Sequence, residues 1–264
     1  MFVDSHCHLS FPELQDRLPQ ILLEMERASV DSALCICTTI EEFPAVLRLA
    51  RSDHRLWATV GVHPDSEGGA EPDEEQLTRL SMLPRVVGIG ETGLDYYRLN
   101  GRSHAEMEWQ RDRFGVHIRV ALRTGLPLVV HTRSAAEDTL AMLRHEGQGR
   151  VEGVFHCFTE TPAVARAALD MGFLISFSGI LTFRNAAELR DVARMVPLER
   201  CLIETDSPYL APVPHRGKVD SPAYVPRVAQ QLAEVKGLSL EAVAEATTRN
   251  FERLFPRVLE GVTA

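Results

Sequence analysis

The 264-residue chain lacks several features that would place it in a specialised class of protein. No stretch approaches the roughly 20 consecutive apolar residues that a membrane-spanning helix requires, and the N-terminus has no basic segment followed by an apolar run. Its five cysteines are few and odd in number, which does not suit a disulfide framework and favours a reducing compartment. We therefore expect a cytoplasmic protein that does not associate with membranes.

Positive charge is scarce, and lysine is almost absent. Lys218 and Lys236 are the only lysines, and acidic residues outnumber basic ones, so the formal net charge is −9. This balance argues against a protein that coats nucleic acid electrostatically, because such domains carry a basic stripe. It does not exclude an enzyme that holds one end of a nucleic acid in a small, locally positive cleft.

The chain also lacks any obvious boundary between domains. No linker rich in serine, glycine or proline divides it, and no internal repeat of roughly 20–50 residues is evident. With 45% hydrophobic and 25% charged residues, the composition is that of an ordinary globular protein, and a chain of this length buries about three quarters of its unfolded surface. We predict a single domain over residues 1–264.

Short apolar runs alternate with segments of helical periodicity. The runs predict eight buried strands, at residues 3–9, 33–39, 57–63, 86–91, 127–132, 153–158, 173–178 and 201–206. Helical patterns lie between them, for example at 14–28, 104–123 and 134–145, the last opening with a serine as a candidate cap. This alternation predicts an α/β fold, a (β/α)8 TIM barrel, with a doubly wound open sheet as the alternative. We expect a helical tail at 238–259 to pack over the barrel.

Side chains that can bind metals occur at the ends of five predicted strands. In chain order they are His6, His8, Glu91, His131, His156 and Asp206. Because the C-terminal ends of parallel strands form one mouth of a barrel, we expect the six to converge there. A mixed set of imidazoles and carboxylates can hold Zn²⁺, Mn²⁺ or Mg²⁺ and is typical of a hydrolytic centre.

Two local motifs allow other interpretations. Residues 88–93 fit the dinucleotide-binding pattern G-x-G-x-x-G, but Glu91 would place a carboxylate inside the phosphate turn, and no apolar-periodic helix follows. In His6-Cys7-His8, strand alternation directs the two imidazoles to one side and the thiol to the other, so the imidazoles can share one ion. Cys7 and Cys157 each adjoin a histidine, yet a buried hydrophobic role suits them better than a nucleophilic one.

Several segments together resemble the TatD family of metal-dependent deoxyribonucleases, within the wider group of amidohydrolase-type barrels. They are DSHCHL at residues 4–9, GVHP at 61–64, GETGLDY at 90–96, HTR at 131–133, GVFHCF at 153–158, ETDSPYLAP at 204–212 and RGK at 216–218. The chain departs from the family pattern around Asp65 and at residues 219–222, which bears on substrate loops and not on the candidate ligands.

The resemblance implies two divalent metal cations per chain, whether Zn²⁺, Mg²⁺ or Mn²⁺. One would be held by His6, His8, Glu91 and Asp206, and the other by Glu91, His131 and His156. It further implies hydrolysis of phosphodiester bonds, often from the 3′ end of single-stranded DNA. The partner would then be single-stranded DNA or another phosphodiester, and the oligomeric state is left open, a monomer included.

The resemblance also suggests roles in catalysis. Asp206 would accept a proton from the attacking water, Glu91 would bridge the cations, and His63 would lie near the substrate phosphate. Further candidates for holding phosphate oxygens are Arg133, Arg216 and Lys218. Aromatic residues that would either stack on a base or pack in the core are Tyr96, Phe158 and Tyr209. The alternatives are a hydrolase of amides, lactones or small phosphoesters, and a non-catalytic protein with a structural metal.

Overall fold

The computed structural model describes residues 1–260, in which eight parallel strands pair in sequence order. The strands are β1 (Phe2–Cys7), β2 (Val30–Cys35), β3 (Leu56–Val60), β4 (Val86–Asp95), β5 (Leu128–Arg133), β6 (Gly153–Phe155), β7 (Leu174–Phe177) and β8 (Cys201–Ile203). After β8 the chain pairs with β1, because the amide of Asp206 donates to the carbonyl of His6 over 2.9 Å. The sheet thus forms the predicted TIM barrel, and the doubly wound alternative is wrong.

Helices connect the strands and surround them. They are α1 (Pro12–Gln15), α2 (Leu18–Arg27), α3 (Phe43–Ser52), α4 (Glu74–Ser81), α5 (Glu108–Thr124), α6 (Ala136–Gly147), α7 (Pro162–Asp170), α8 (Ala187–Met195), α9 (Val225–Lys236), α10 (Leu240–Leu254) and α11 (Arg257–Glu260). Short 3-10 helices are Ala105–Met107, Gly179–Thr182, Leu198–Arg200 and Pro222–Tyr224. Within residues 1–260, none of the helices combines the length and apolar character needed to span a bilayer.

Two predicted helices differ in detail from those observed. The segment 14–28 forms parts of two helices, α1 and α2, with Asp16 and Arg17 between them and Pro19 in the first turn of α2. Ser134 does not cap α6, because its backbone is left-handed at φ +54° and Ala135 is the capping residue, with no side-chain hydrogen bond. Periodicity therefore located these helices but not their ends.

Strand ends also differ from the prediction. β6 and β8 stop at Phe155 and Ile203, so His156 and Asp206 lie in the loops that follow. β4 instead continues to Asp95, which places Glu91 inside the strand. Residue type shows where the apolar run ends, whereas the hydrogen-bonded ladder ends where the neighbouring strands diverge.

Apolar side chains form two clusters, one between barrel and helices and one inside the barrel. The inner cluster draws on all eight strands and is joined by Phe251, Leu254, Phe255 and Val258 of the C-terminal segment. The Phe255 ring packs against Gly88, near the start of β4, so the C-terminal helices close the end of the barrel opposite the mouth. This confirms the expected packing of the tail. The predicted domain extends to residue 264, and its last residues, 261–264, lie outside the described part.

The glycines of residues 88–93 lie within β4 and form no turn. Gly93 has φ +125°, and a side chain there would overlap the carbonyl oxygen of His131 on β5. Glycine at this position therefore allows the two strands to approach each other. The dinucleotide interpretation is excluded, since no helix opens from these glycines.

Candidate metal centre

Four side chains form the first cluster, at the seam where β1 meets the chain after β8. Nε2 of His6 lies 3.3 Å from Nε2 of His8 and 3.5 Å from Oδ1 of Asp206, and Nε2 of His8 lies 3.4 Å from the same oxygen. Oε2 of Glu91 lies 3.4 Å from Nε2 of His6 and 3.9 Å from Nε2 of His8. Donors about 2.0–2.1 Å from a central ion in a tetrahedron are about 3.3–3.4 Å apart. The donor set therefore fits one shared divalent cation.

The other oxygen of Glu91 faces the second cluster. Oε1 lies 2.8 Å from Nε2 of His156 and 3.2 Å from Nδ1 of His131. These two nitrogens are 3.4 Å apart. Because its two oxygens face different histidines, Glu91 is placed to serve both clusters, and the second also fits a cation.

Glu91 is anionic although it is buried, with 2% of its surface exposed. Burial opposes its ionisation, but the histidines around it, chiefly His156, outweigh that effect and hold its pKa well below the ordinary value. A buried negative charge surrounded by nitrogen donors is an arrangement that attracts a cation.

Protons and cations compete for the histidines of this centre. Burial disfavours the charged form of His8 and His156, yet the nearby carboxylates of Asp206 and Glu91 outweigh it and raise the pKa of both histidines. A histidine binds a metal only in its unprotonated form. Cation binding should therefore release protons, and affinity should fall as the pH is lowered.

Two carboxylates behind the second cluster contact its histidines. Nε2–H of His131 donates to Oδ2 of Asp95 over 3.0 Å, which leaves Nδ1 free for a metal. Nδ1 of His156 lies 3.4 Å from Oε1 of the fully buried Glu204. The sequence indicated no role for either acid, although both lie in the segments that resemble the family.

Stacking orients the rings of His6 and His8. Their Nδ1 atoms are buried and have no hydrogen-bonding partner among residues 1–260. The ring of His6 stacks on that of His156 with centroids 3.9 Å apart, and His8 stacks on Phe11 at 4.6 Å. Phe11 is thus a positioning residue for His8, and no motif in the sequence pointed to it.

His63 differs from the other histidines of the site because its Nδ1 is already occupied. This atom accepts a hydrogen bond of 3.0 Å from the amide of Asp65, so Nε2 carries the proton of the neutral ring. Burial lowers the pKa of His63 to about 3, which keeps the ring neutral. His63 is close enough to Glu91 and His131 to share an ion, but a protonated Nε2 donates a hydrogen bond instead.

The metal centre opens into a cavity of about 810 Å³ at the C-terminal ends of the strands. Its lining includes Arg133 and His63 of the predicted phosphate contacts. Arg216 and Lys218 are outside this lining, and the guanidinium of Arg216 stacks over Phe183 at 4.0 Å. The structure therefore brings the six candidate ligands, His63 and Arg133 together, and places the other two basic residues elsewhere.

The three aromatic candidates have different surroundings. Tyr209 lines the cavity and is 52% exposed, whereas Tyr96 and Phe158 are buried. The hydroxyl of Tyr96 donates to Oδ2 of Asp138 over 2.8 Å. Core packing is thus the role of Tyr96 and Phe158, and Tyr209 is the candidate that is free to contact a ligand.

Comparison with known proteins identifies the family. Residues 3–256 match the family of TatD related DNases. An uncharacterized metal-dependent hydrolase of Escherichia coli strain K12, YcfH, is 45% identical over 256 residues, covering 96% of this chain and 95% of that protein. TatD of Escherichia fergusonii, named a 3'-5' ssDNA/RNA exonuclease, is 34% identical over 234 residues, covering 86% of this chain and 88% of the relative.

A solved structure supports the same relationship. The crystal structure of YJJV, a TatD homologue from Escherichia coli K12, has a TM-score of 0.89 at 28% identity, covering 97% of this chain and 98% of its own. The likeness therefore extends to the whole barrel and not only to the ligand-bearing segments. Because the family match also spans nearly the whole chain, the protein belongs to the TatD related DNase family of metal-dependent hydrolases.

Proposed function

We propose that the protein is a nuclease that hydrolyses phosphodiester bonds in single-stranded nucleic acid and removes nucleotides from the 3′ end. The observation that carries the proposal is that Glu91 directs its two oxygens to two separate clusters of donors. Cations about 3.5–4 Å apart are typical of enzymes that catalyse in-line displacement at phosphorus. The choice of strand end follows the name of the Escherichia fergusonii relative.

Two divalent cations would be held at the mouth of the barrel. The ligands of one would be His6, His8, Asp206 and Oε2 of Glu91, and those of the other His131, His156 and Oε1 of Glu91. Zn²⁺, Mg²⁺ or Mn²⁺ at these positions would lower the pKa of a water molecule and neutralise charge on the phosphate.

The side chains around the cations would handle the proton and the phosphate. Oδ1 of Asp206 faces His6 and His8, whereas Oδ2 accepts no hydrogen bond from residues 1–260 and is free to take the proton of the attacking water. Nε2–H of His63 would donate to a phosphate oxygen, and Arg133 would hold another. As the water attacks, the bond from phosphorus to the sugar oxygen would break, and the released oxygen would take a proton from water in the open cavity.

The proposal is tested with chelator-treated protein to which single ions are returned. We expect an added ion to restore shortening of end-labelled single-stranded DNA, with loss of a 3′ label before a 5′ label and release of mononucleotides. Double-stranded DNA of the same sequence should be shortened more slowly. Hydrolysis from the 5′ end would contradict the assigned direction.

The same preparation should be offered a lactone, an N-acyl compound and a phosphotriester. Turnover of one of these without hydrolysis of DNA would assign the protein to the alternative class of hydrolase. Full occupancy by metal without turnover of any substrate would instead indicate a non-catalytic role.

A further inference from the structure

The mouth of the cavity has two chemically different sides. Phe11 follows β1 and Tyr209 follows β8, whereas Arg98 follows β4 and Arg133 ends β5, and all four line the cavity. The strands run in sequence order around the barrel, so the seam of β1 with β8 is diametrically opposite the pair of β4 and β5. The aromatic side and the guanidinium side therefore lie across the metal centre from each other.

The aromatic side adjoins the first cluster. Phe11 stacks on the candidate ligand His8, and Tyr209 lies edge-on to Phe11 with centroids 6.3 Å apart. The Tyr209 ring is half exposed, and its hydroxyl makes no hydrogen bond within residues 1–260. Exposed aromatic rings beside a nucleic-acid site stack on bases of any sequence.

The guanidinium side adjoins the second cluster. Arg133 lies two residues after His131, and its guanidinium stacks 3.6 Å above the ring of Tyr97. Within residues 1–260, neither Arg133 nor Arg98 has a carboxylate oxygen within 4.0 Å. Arg98 interacts electrostatically with Asp65, which lines the same cavity, but the two charged groups are more than 4.0 Å apart. Both arginines are thus open to an anion.

Arginines beside the other large cavity are already neutralised. That cavity, of about 600 Å³, lies along α5. Arg113 there pairs with Glu71, and Arg119 pairs with Glu146 over 2.9 Å. An anion would have to compete with these carboxylates, so this second cavity does not extend the path of a polyanion.

We infer that the enzyme recognises only about two nucleotides at the end of its substrate, which makes short single-stranded oligonucleotides as good substrates as long strands. The base of one nucleotide stacks on Tyr209, Arg133 holds an oxygen of the scissile phosphate, and Arg98 contacts the phosphate next to it. A cavity of about 810 Å³ is within the usual range for one drug-sized ligand, and a net charge of −9 discourages binding of further phosphates outside it. The inference rests on the proposed nuclease function.

Substrate length and salt dependence test the inference. Oligothymidylates of 2 to 20 nucleotides are hydrolysed at a saturating concentration of the divalent ion while monovalent salt is varied. We expect kcat/KM to change less than about twofold as the substrate is lengthened beyond the trinucleotide. The slope of log kcat/KM against log salt concentration should be near −1.4, about −0.7 for each of two phosphates. A tenfold rise with length, or a slope steeper than about −3, overturns the inference. If the protein hydrolyses none of the oligonucleotides, the proposed function itself is overturned.

Variants of Tyr209 test base stacking separately from folding. The substrates are two trinucleotides, one intact and one lacking the 3′-terminal base. We expect Tyr209→Ala to lower kcat/KM about 10-fold on the intact substrate only, and Tyr209→Phe to behave like the wild type. An equal loss on both substrates contradicts stacking. Phe11 is unsuitable for this test because it also positions His8.

Variants of the arginines test the phosphate contact. Arg98→Gln and Arg133→Gln should each raise KM and make the salt slope shallower by about 0.7. Arg249→Gln is the control, because Arg249 is exposed on α10, pairs with Glu245 and does not line the cavity. If the salt slope is unchanged in Arg98→Gln and Arg133→Gln, the proposed phosphate contacts are wrong.

Discussion

At the scale of single residues, the centre depends on how each side chain uses its two polar atoms. Glu91 faces one cluster with each oxygen, and His131 faces the centre with Nδ1 while Nε2–H is held by Asp95. His63 has the opposite arrangement, since Nδ1 accepts from the backbone and Nε2 faces inward. Two histidines of the same centre thus have different roles, His131 as a candidate ligand and His63 as a hydrogen-bond donor.

Replacing Asp206 should separate metal binding from turnover. Asp206→Asn keeps an oxygen donor but loses the proton acceptor, so we expect kcat to fall about 10²–10⁴-fold while most of the metal is retained. His6→Ala and Glu91→Ala should lose metal as well as activity. Elemental analysis of each variant beside the nuclease assay makes the comparison. An active Asp206→Asn enzyme would eliminate the proposed base.

Replacing Asp95 should weaken the second cluster alone. Asp95→Ala removes the acceptor of Nε2–H of His131, and loss of such a partner typically lowers metal affinity about 10–100-fold. Titration against a competing chelator should show one weakened site and one unchanged site. Asp191→Ala, on the exposed surface of α8, is the control. Equal weakening of both sites would contradict the assignment.

At the scale of elements, α5 supports the loop that carries His63. His117 on α5 accepts from the amide of Val62 over 3.0 Å, and its Nδ1–H donates to the carbonyl of Arg113 over 2.7 Å. This bridge explains why a buried histidine stands on the apolar face of the helix. It also couples the stability of the loop to pH.

Acidification should destabilise the protein through His117. Burial lowers its pKa from 6.5 to about 4, so its contribution is present above pH 6.5 and is lost as the pH falls towards 4. Between pH 7 and pH 5, the wild type should lose about 2 kcal/mol more unfolding free energy than His117→Gln, which does not titrate. Urea unfolding of both proteins at the two pH values measures this. Parallel losses would show that His117 is not responsible.

The elements themselves could be predicted only in part. Apolar runs located all eight strands, because strands covered on both faces leave a clear pattern. The pattern placed His156 and Asp206 in strands that end before them, since periodicity does not report where ladders stop. The helical pattern at 14–28 likewise did not show the break between α1 and α2.

At the scale of the whole molecule, the C-terminal segment closes one end of the barrel and leaves the other as the mouth. Phe255 is fully buried and joins the inner cluster with side chains from all eight strands. We propose on this basis that the chain unfolds as a single domain. The junction between α10 and α11 is thus part of the barrel core.

Truncating Phe255 should therefore destabilise the entire protein. Phe255→Ala should cost about 3–5 kcal/mol of unfolding free energy, in one cooperative transition. Leu259→Ala, which removes an exposed side chain of α11, should change it by less than about 0.5 kcal/mol. Denaturant unfolding followed by fluorescence and circular dichroism measures both. Separate transitions by the two probes would contradict a single domain.

The sequence by itself determined the fold class and the six residues that converge at the mouth. It could do so because apolar runs mark each strand locally, and barrel closure brings the residues near the C-terminal ends of the strands to one mouth. Only the tertiary structure decided that Asp95 and Glu204 contact the histidines of the second cluster, and that Arg98 lies at the mouth while Arg216 does not. These placements depend on the register of paired strands and on the paths of loops, which follow from packing between residues far apart in the chain.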